Sequence, residues 1–349
     1  MNVVTIGSRQ LGCGHTCMIA AEIGINHNGD MGMAKAAIDV AAEAGADAVK
    51  FQNFKAEEIV ADRSLTYEYL SRGQRVVESQ YAMFKRYELP PGALRDLKEH
   101  CERRGVLFFS TPSSIEGVDE LVQVGSPMLK NASDSLGNLP LLRAMARSGI
   151  PTIISAGMAT LEDIGAAVTA FRQAGGRDLV VLHCTASYPA PVGDVHLRKI
   201  PALAAVLGCP IGFSDHTEGT VAAVGAVALG ACFVEKHFTL DKGLAGPDHW
   251  FSADPAEFGA LVRAVRAIEA SLGSSVIAPA TSEIESRSAY RLSCVSARAI
   301  RAGTRVMTAD VIFRRPGTGI PPAVVDLVVG RIAAADIPAG HVFQTSDFA

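Results

Sequence analysis

Eight short apolar runs separated by helix-patterned segments constrain the fold of this chain more than any other feature. The runs lie at 18–23, 46–51, 106–110, 127–131, 151–155, 179–184, 210–213 and 231–237. Helical patterning marks the segments 31–44, 91–104, 139–147, 161–174, 217–229 and 255–272. Strands alternating with helices are typical of a parallel sheet. Eight such pairs over about 250 residues predict a (β/α)8 TIM barrel. A doubly wound open sheet is the alternative, but no GxGxxG motif follows the first run.

The ends of the chain differ in pattern from this repeat. The segments 3–6 and 10–17 flank a Gly-Ser-Arg turn and predict a hairpin that closes the bottom of the barrel. Ser, Ala and Pro dominate the stretch after 272, which predicts a linker. Short apolar runs then alternate with Gly and Pro, as in a small, mainly β domain. We therefore expect a barrel domain over 1–275, a linker over 276–287 and a second domain over 288–349.

Charge and cysteine usage limit the class of protein. The 349 residues carry 32 Lys and Arg against 36 Asp and Glu, a net charge of −4, without a basic stretch for nucleic acid. The longest nearly apolar run, 221–234, is too short for a membrane span. The N-terminus has no secretory pattern. Seven scattered cysteines without a CxxC pair indicate reduced thiols. We expect a cytoplasmic enzyme acting on small molecules, without nucleic acid or membrane partners.

Polar residues end nearly every predicted strand. Barrel enzymes place their chemistry at the carboxyl ends of the strands, so this ring predicts the active site. In chain order the strand ends supply Glu22, Asn26, His27 and Asn28; Lys50 and Gln52; Ser110 and Thr111; Lys130, Asn131 and Ser133; Ser155; His183, Cys184 and Thr185; Ser214, Asp215, His216 and Thr217; Glu235, Lys236 and His237. Taken singly, a buried Lys or Glu can instead belong to a structural ion pair, and a His can be a satisfied core residue.

Two lysines and two histidines give the most specific predictions about what the site binds. Burying Lys50 and Lys130 costs several kcal/mol each unless they are paired or bind an anion, which indicates a phosphate or carboxylate substrate. His216 and His237 end adjacent strands, so their imidazoles can converge on a divalent ion such as Mn²⁺, Fe²⁺ or Zn²⁺. Such a site would keep open positions for water or substrate, with Glu22 or Asp248 nearby. No Walker motif, GxSxG or HExxH is present, which disfavours nucleotide hydrolysis and serine-hydrolase chemistry.

Longer motifs at these positions resemble those of the sialic acid synthases. That family comprises N-acetylneuraminate synthases and relatives that make legionaminate, pseudaminate and spore-coat sugars. The matching motifs are AEIGINHNGD (21–30), VKFQ (49–52), STP (110–112), SAGMA (155–159), LHCT (182–185), GFSDHT (212–217), EKHFT (235–239) and GPDH (246–249). RRPGTGI (314–320) is similar to the motif of the antifreeze-like, or SAF, domain that follows the barrel in this family.

The resemblance implies condensation of phosphoenolpyruvate with the open-chain aldehyde of an N-acylated amino sugar, giving a nine-carbon 2-keto-3-deoxy acid and phosphate. By family likeness, phosphoenolpyruvate would be bound by Lys50, Thr111, Lys130, Ser133, Ser155 and Ser214. His216 and His237 would bind Mn²⁺ or Mg²⁺. Glu22, Tyr188 and Asp248 would contact the sugar or the reacting centre. Arg315 would reach over the barrel of a partner subunit, which implies a domain-swapped homodimer. Glu22, both lysines and both histidines are the implied catalytic residues.

Two segments depart from the usual family residues. Lys130 is followed by Asn131-Ala132-Ser133-Asp134-Ser135 where the family commonly has Ile-x-Ser-Gly-(Asp/Glu), and Ala186 stands where many relatives have Ser or Asn. We expect altered substrate contacts there. A metal-dependent pyruvate aldolase and a non-catalytic sugar- or phosphate-binding protein are the alternative functions. The two lysines and the hydroxyl-rich phosphate set disfavour the aldolase, and the His pair with Glu22 disfavours the binding protein.

Overall fold

The computed structural model describes residues 3–349 and divides into two units. One extends to Gly273 and the other is Ser274–Ala349. The division falls close to the expected end of the barrel domain. Within residues 3–349, no helix is long and apolar enough to cross a membrane.

The first unit alternates strands and helices along most of its length. Its strands are β1 (Val4–Ile6), β2 (Arg9–Leu11), β3 (Met18–Gly24), β4 (Ala48–Asn53), β5 (Thr66–Ser71), β6 (Gln74–Ser79), β7 (Leu107–Pro112), β8 (Leu129–Asn131), β9 (Thr152–Ser155), β10 (Leu179–Cys184), β11 (Ile211–Asp215) and β12 (Phe233–His237). Its α-helices are α1 (Met31–Glu43), α2 (Ala56–Ile59), α3 (Gln80–Tyr87), α4 (Ala93–Arg104), α5 (Ile115–Gln123), α6 (Leu139–Ser148), α7 (Leu161–Gln173), α8 (Lys199–Leu207), α9 (Val221–Ala228) and α10 (Pro255–Leu272).

Eight parallel strands close into a barrel in the order β3-β4-β7-β8-β9-β10-β11-β12, and β12 pairs back onto β3. Each of the eight predicted runs overlaps one of these strands, with boundaries shifted by two residues at most. The predicted TIM barrel is confirmed, and the open sheet is excluded. Helix starts follow local chemistry: Asp30 caps α1, and Thr160 and Asp254 form capping boxes with Asp163 and Glu257.

Side chains alternate between the two faces of the barrel wall. The inward residues form a buried layer of Met18, Ala20, Ala48, Phe109, Met128, Ile153, Val180, Leu182 and Phe233. Residues of the β1–β2 hairpin, Val4, Ile6 and Leu11, belong to the same cluster, so the predicted N-terminal hairpin packs against the barrel interior. The outward residues, such as Ile19, Val49, Leu129 and Val181, pack with the helices. This parity decides which polar residues at the strand ends reach the interior.

The segment between β4 and β7 contains an excursion that the sequence pattern does not predict. Strands β5 and β6 pair as an antiparallel hairpin, flanked by α2 and α3. Its two-residue turn, Arg72 and Gly73, has positive φ at both positions, 52° and 73°, as a type I′ turn requires. A buried cluster of Ile25, Phe54, Met83 and Tyr87, with Tyr69 and Phe84 packed on it, joins this excursion to the barrel.

The second unit has its own core and little regular structure. Strands β13 (Ser293–Ser296) and β14 (Val311–Arg314) pair in antiparallel fashion. Eight buried residues, among them Cys294, Val306, Val328 and Phe343, form the core. The small, mainly β C-terminal domain is confirmed. Part of the expected linker is helical, however, because α11 spans Ile284–Tyr290.

Candidate active site

A cavity of about 610 Å³ opens at the carboxyl ends of the barrel strands. Its volume lies within the usual range for small-molecule sites, roughly 300–1,000 Å³. The lining brings together eleven of the twelve predicted site residues: Glu22, Lys50, Thr111, Lys130, Ser133, Ser155, Tyr188, Ser214, His216, His237 and Asp248. The twelfth, Arg315, belongs to the second unit. There it is exposed, donates to the Tyr290 carbonyl at 3.1 Å and lies over the Tyr290 ring.

Several of the polar strand-end residues do not line the cavity, so only part of the predicted ring belongs to the site. Asn131, His183, Asp215 and Lys236 are each one residue out of phase with the inward positions, so they face the helix layer. Lys236 and Asp215 form a buried ion pair at 2.8 Å. Here the structural alternative was the correct one.

Four charged side chains form the floor of the cavity. Lys50 Nζ lies 3.3 Å from Glu22 Oε1 and 3.1 Å from Glu235 Oε2. Lys130 Nζ is 3.9 Å from Glu235 Oε1. Gln52 Nε2 donates to Glu22 Oε1 at 2.9 Å. Glu235 and Gln52 are among the predicted strand-end residues, but no role is predicted for them. Their spacing of two from His237 and Lys50 was the available signal, since alternate residues share one face of a strand.

Burial and neighbouring charges shift the pKa values of the two carboxyl groups of the floor in opposite directions. Burial, opposed by Lys50, raises the pKa of Glu22 to about 7. Burial would also raise the pKa of Glu235, but Lys130 and Lys50 together lower it to about 2. Burial lowers the pKa of Lys130 to about 8. A carboxyl group that titrates near neutrality beside one that stays ionised is the arrangement expected of an acid–base pair.

Hydroxyl groups surround the lysines on the β7–β9 side. Lys130 Nζ donates to Ser155 Oγ at 2.6 Å and to the Asn131 carbonyl at 3.0 Å. Lys50 Nζ donates to Thr111 Oγ1 at 3.4 Å. The Gly157 amide donates to Ser133 Oγ at 3.0 Å, and a Cβ at Gly157 would meet that oxygen at 2.7 Å. Cations and hydroxyl donors converge here as an anionic group requires.

Two imidazoles stand on the opposite side of the floor, at β11 and β12. The ring centroids of His216 and His237 are 5.6 Å apart. His216 Nδ1 donates to the Thr185 carbonyl at 2.8 Å, so its Nε2 carries the lone pair. His237 Nδ1 and Glu22 Oε2 are buried without a hydrogen-bond partner. Two available imidazoles and an unpartnered carboxylate oxygen are ligands that suit a divalent cation. Within residues 3–349, no group of three His, Cys, Asp or Glu side chains is arranged to hold a metal ion.

Aromatic rings and a buried carboxyl group enclose the imidazoles. Tyr188 lies with its ring centroid 4.2 Å from that of His216 and 5.6 Å from that of His237. Phe251 packs 5.2 Å from both Tyr188 and His237. Asp248 Oδ2 is 3.9 Å from His237 Nδ1, and burial raises the pKa of Asp248 to about 7. The GPDH turn therefore projects Asp248 into the cavity, as predicted.

Comparison with known protein families gives a match over most of the chain. The model of the NeuB family matches residues 37–277, and that of the SAF domain matches residues 293–349. The chain belongs to the NeuB family. The identification as a sialic acid synthase relative with a C-terminal SAF domain, and as an enzyme, is thereby confirmed.

Individual relatives support the same assignment. An N,N'-diacetyllegionaminic acid synthase of Legionella pneumophila is 39% identical over 96% of this chain and 95% of its own length. A human N-acetylneuraminate-9-phosphate synthase is 34% identical over 93% of this chain and 90% of its own. The crystal structure of an N-acetylneuraminic acid synthetase from Leptospira borgpetersenii, in complex with citrate, superposes with a TM-score of 0.74 at 34% identity, covering 82% of this chain and 95% of that one.

Proposed function

We propose that this enzyme condenses phosphoenolpyruvate with the open-chain aldehyde of an N-acylated amino sugar to give a nine-carbon 2-keto-3-deoxy acid and phosphate. The observation that carries the proposal is the cavity floor. It combines two buried lysines, a set of hydroxyl donors, a carboxyl group that titrates near neutrality and two available imidazoles. Relatives named as synthases of legionaminic acid and of N-acetylneuraminate 9-phosphate support the reaction class.

Phosphoenolpyruvate would occupy the β7–β9 side of the floor. Lys50 and Lys130 would neutralise its phosphate and carboxylate. Lys130 Nζ has one N–H left beyond its hydrogen bonds to Ser155 and the Asn131 carbonyl, and Lys50 would exchange its 3.4 Å hydrogen bond to Thr111 for one to the ligand. Ser133 and Ser155, with Thr111 and Ser214, would supply hydroxyl donors. Charge that develops on the departing phosphate would be stabilised by the same lysines, which are already fixed before the reaction begins.

His216 and His237 would hold a divalent ion, Mn²⁺ or Mg²⁺, on the opposite side. When bound, the ion supplies Lewis acidity to the sugar aldehyde oxygen. Tyr188 and Phe251 pack against the imidazoles and fix their orientation. Asp248, close to His237, would accept hydrogen bonds from sugar hydroxyl groups and align the aldehyde above the floor.

The proposed reaction forms one C–C bond and breaks one C–O bond. C3 of phosphoenolpyruvate forms a bond to the aldehyde carbon while the carbon–oxygen π bond of the aldehyde breaks. The aldehyde oxygen becomes a hydroxyl group by taking up the proton that water loses in the next step. Water adds to the resulting cationic C2 and loses a proton, for which Glu22 is the proposed acceptor because its pKa of about 7 suits proton transfer near neutral pH. The tetrahedral centre then breaks its C–O bond to phosphate, and the remaining proton of its new hydroxyl group leaves with the phosphate, which gives the 2-keto group. One sugar, one phosphoenolpyruvate and one water give one keto acid and one phosphate.

Arg315 would act at the site of a second copy of the chain. Within its own unit the guanidinium group is exposed and stacked on Tyr290, and the following Gly317 approaches Arg291 too closely for a side chain. We propose that Arg315 of one subunit completes the sugar site of the other in a homodimer. Loss of activity in Arg315→Ala, restored by mixing with a Glu22→Gln subunit, would support this exchange.

Phosphate release is the direct test of the reaction. It should require phosphoenolpyruvate, an N-acylated amino sugar and Mn²⁺ together, and mass spectrometry should find one nine-carbon keto acid for each phosphate. Pyruvate turnover without phosphate would favour the aldolase. Binding of both substrates without any product would favour the non-catalytic alternative. The names of the relatives include one product without a phosphate group and one with it.

A further inference from the structure

Two asparagines of the AEIGINHNGD motif have no part in the condensation as proposed. Asn26 and Asn28 follow β3, the first barrel strand, but neither lines the cavity. Asn26 is buried and Asn28 is half-buried. Both side chains instead make hydrogen bonds with the segment that contains the GPDH turn, beyond the last barrel strand. Buried polar groups need such partners, and the choice of partners shows what these two residues hold in place.

Asn26 holds the main chain of Asp248 through Ser252. Asn26 Nδ2 donates to Ser252 Oγ at 2.9 Å and to the Phe238 carbonyl at 2.9 Å. Ser252 Oγ donates in turn to the Asp248 carbonyl at 2.6 Å, and the Ser252 amide donates to the same oxygen at 3.3 Å. Asn26 and Ser252 are 4% and 0% exposed, so solvent does not weaken these bonds. The main chain of Asp248 is therefore fixed relative to β3.

Asn28 holds the other side of the turn together with His249. Asn28 Nδ2 donates to the Ala245 carbonyl at 2.9 Å, and its Oδ1 lies 3.2 Å from His249 Nε2. Because an amide oxygen only accepts, His249 Nε2 carries the proton, and Nδ1 of the neutral ring accepts from Thr239 Oγ1 at 2.7 Å. A Cβ at Gly246 would meet His249 Cδ2 at 2.7 Å and Asn28 Oδ1 at 3.0 Å, so only glycine fits there. The turn is thus tied on both sides of its aspartate.

Asp248 reaches the cavity from the middle of this fixed segment. Its side chain lines the cavity, and its Oδ2 lies 3.9 Å from His237 Nδ1. A hydrogen bond between oxygen atoms requires a separation of about 2.5–3.0 Å. A displacement of the turn by about 1 Å would therefore break a contact between Asp248 and a sugar hydroxyl group, and such a misplacement can lower the rate by about 10²-fold.

From these contacts we propose that Asn26, Asn28 and Ser252 are positioning residues, which fix Asp248 for the amino sugar without touching either substrate themselves. The inference rests on the proposed function, in which Asp248 accepts hydrogen bonds from the sugar. Phosphoenolpyruvate would lie on the β7–β9 side of the floor, away from this turn. Loss of one of the three side chains should therefore weaken the use of the sugar and spare that of phosphoenolpyruvate.

Ser252→Ala and Asn28→Gly each remove one set of contacts with little other change. The first deletes a single oxygen atom, and glycine suits position 28 because φ there is 53°. The assay is phosphate release by the full-length enzyme with Mn²⁺ and N-acetylmannosamine, or a di-N-acylated dideoxy sugar where that reacts faster. Each variant should lower kcat/KM for the sugar by about tenfold or more, with KM for phosphoenolpyruvate within about twofold of wild type. Mn²⁺ binding in equilibrium dialysis should be unchanged.

Ser126→Ala is the matched control for Ser252→Ala. Ser126 is 4% exposed and donates to the Met128 carbonyl at 2.7 Å, so the variant also removes a buried hydroxyl group that binds a main-chain oxygen. It lies at the amino end of β8, opposite to the cavity. The control should leave kcat/KM for the sugar unchanged.

A double-mutant cycle with Asp248→Asn tests whether the effect passes through that carboxyl group. Asp248→Asn alone should lower kcat/KM for the sugar, and adding Ser252→Ala or Asn28→Gly should lower it no further, because residues that act together are non-additive. Hydrogen exchange of the segment 245–253 provides a readout that needs no activity: both positioning variants should lose protection there.

The outcomes separate this inference from the proposed function. Additive losses in the cycle, equal losses towards sugar and phosphoenolpyruvate, or unchanged protection of 245–253 would each make the inference wrong while the condensation stands. Wild-type kcat/KM in Asp248→Asn would remove the sugar contact from the proposed function, and the inference with it. If the wild-type enzyme releases no phosphate with either sugar, both are wrong.

Discussion

Replacing Lys236 with Met is expected to destabilise the barrel by about 3–5 kcal/mol, the usual cost of removing one partner of a buried ion pair. The side chains of Lys236 and Asp215 are only 5% and 0% exposed. Lys236 Nζ donates to Asp215 Oδ2 at 2.8 Å and to the Thr217 carbonyl at 2.6 Å. In the variant, Oδ1 of Asp215 keeps its two hydrogen bonds to Thr217, but Oδ2 loses its charged partner.

Urea unfolding followed by tryptophan fluorescence measures this loss. Trp250 is the single tryptophan of the chain and lies in the first unit, so the signal reports the barrel. Lys98→Met is the matched control: Lys98 pairs with Glu102 at 2.5 Å, but Glu102 is 59% exposed, and such pairs contribute about 1 kcal/mol at most. If the free energy of unfolding of Lys236→Met lies within about 1 kcal/mol of the wild-type value, the pair is not a stabilising ion pair between the barrel wall and the helix layer, and the reasoning is refuted.

Three further predictions concern the site and its surroundings. Glu22→Gln should lower kcat by about 10²-fold or more, and near-normal turnover would exclude Glu22 as the proton acceptor. His237→Ala should abolish Mn²⁺-dependent turnover and weaken Mn²⁺ binding in equilibrium dialysis; unchanged binding contradicts the metal assignment. Burial lowers the pKa values of His27 and His249 to about 4, below the unfolded value of about 6.5, so the unfolded chain binds more protons and stability falls as pH drops from 6.5 towards 4. Each histidine should contribute about 2 kcal/mol of this loss at pH 5, and a His27→Gln/His249→Gln variant that loses as much stability as wild type between pH 7.5 and 5 would contradict it.

The barrel was predictable because its signal is repeated eight times. Each run is apolar on both faces, as expected of a strand buried between a barrel interior and a helix layer, so single errors of two residues did not alter the topology. The β5–β6 hairpin was not predicted, because the strands are polar and largely exposed and the Arg72-Gly73 turn lacks the usual Asn or Asp.

The sequence predicts most residues of the site, but it does not by itself tell which strand-end residues face the cavity and which face the helix layer. Strand ends supply polar residues at consecutive positions, and only the parity of the strand separates Lys50 and Glu235 from Lys236. Parity can be read once one inward residue is known; for β12 the buried Phe233 and Glu235 have the same phase as His237. The opposing pKa shifts of Glu22 and Glu235 could not be predicted from the sequence, because they depend on which lysine lies 3–4 Å from which carboxyl group.

The most direct test of the account follows the bridging oxygen of phosphoenolpyruvate. With ¹⁸O at the C–O–P position, the complete reaction with amino sugar and Mn²⁺ is predicted to release phosphate that retains the label, because water attacks C2 and the C–O bond breaks. Mass spectrometry of the phosphate gives the answer in one experiment. Unlabelled phosphate, or phosphate formed at the same rate without sugar, would mean that water attacks phosphorus and would contradict the proposed condensation.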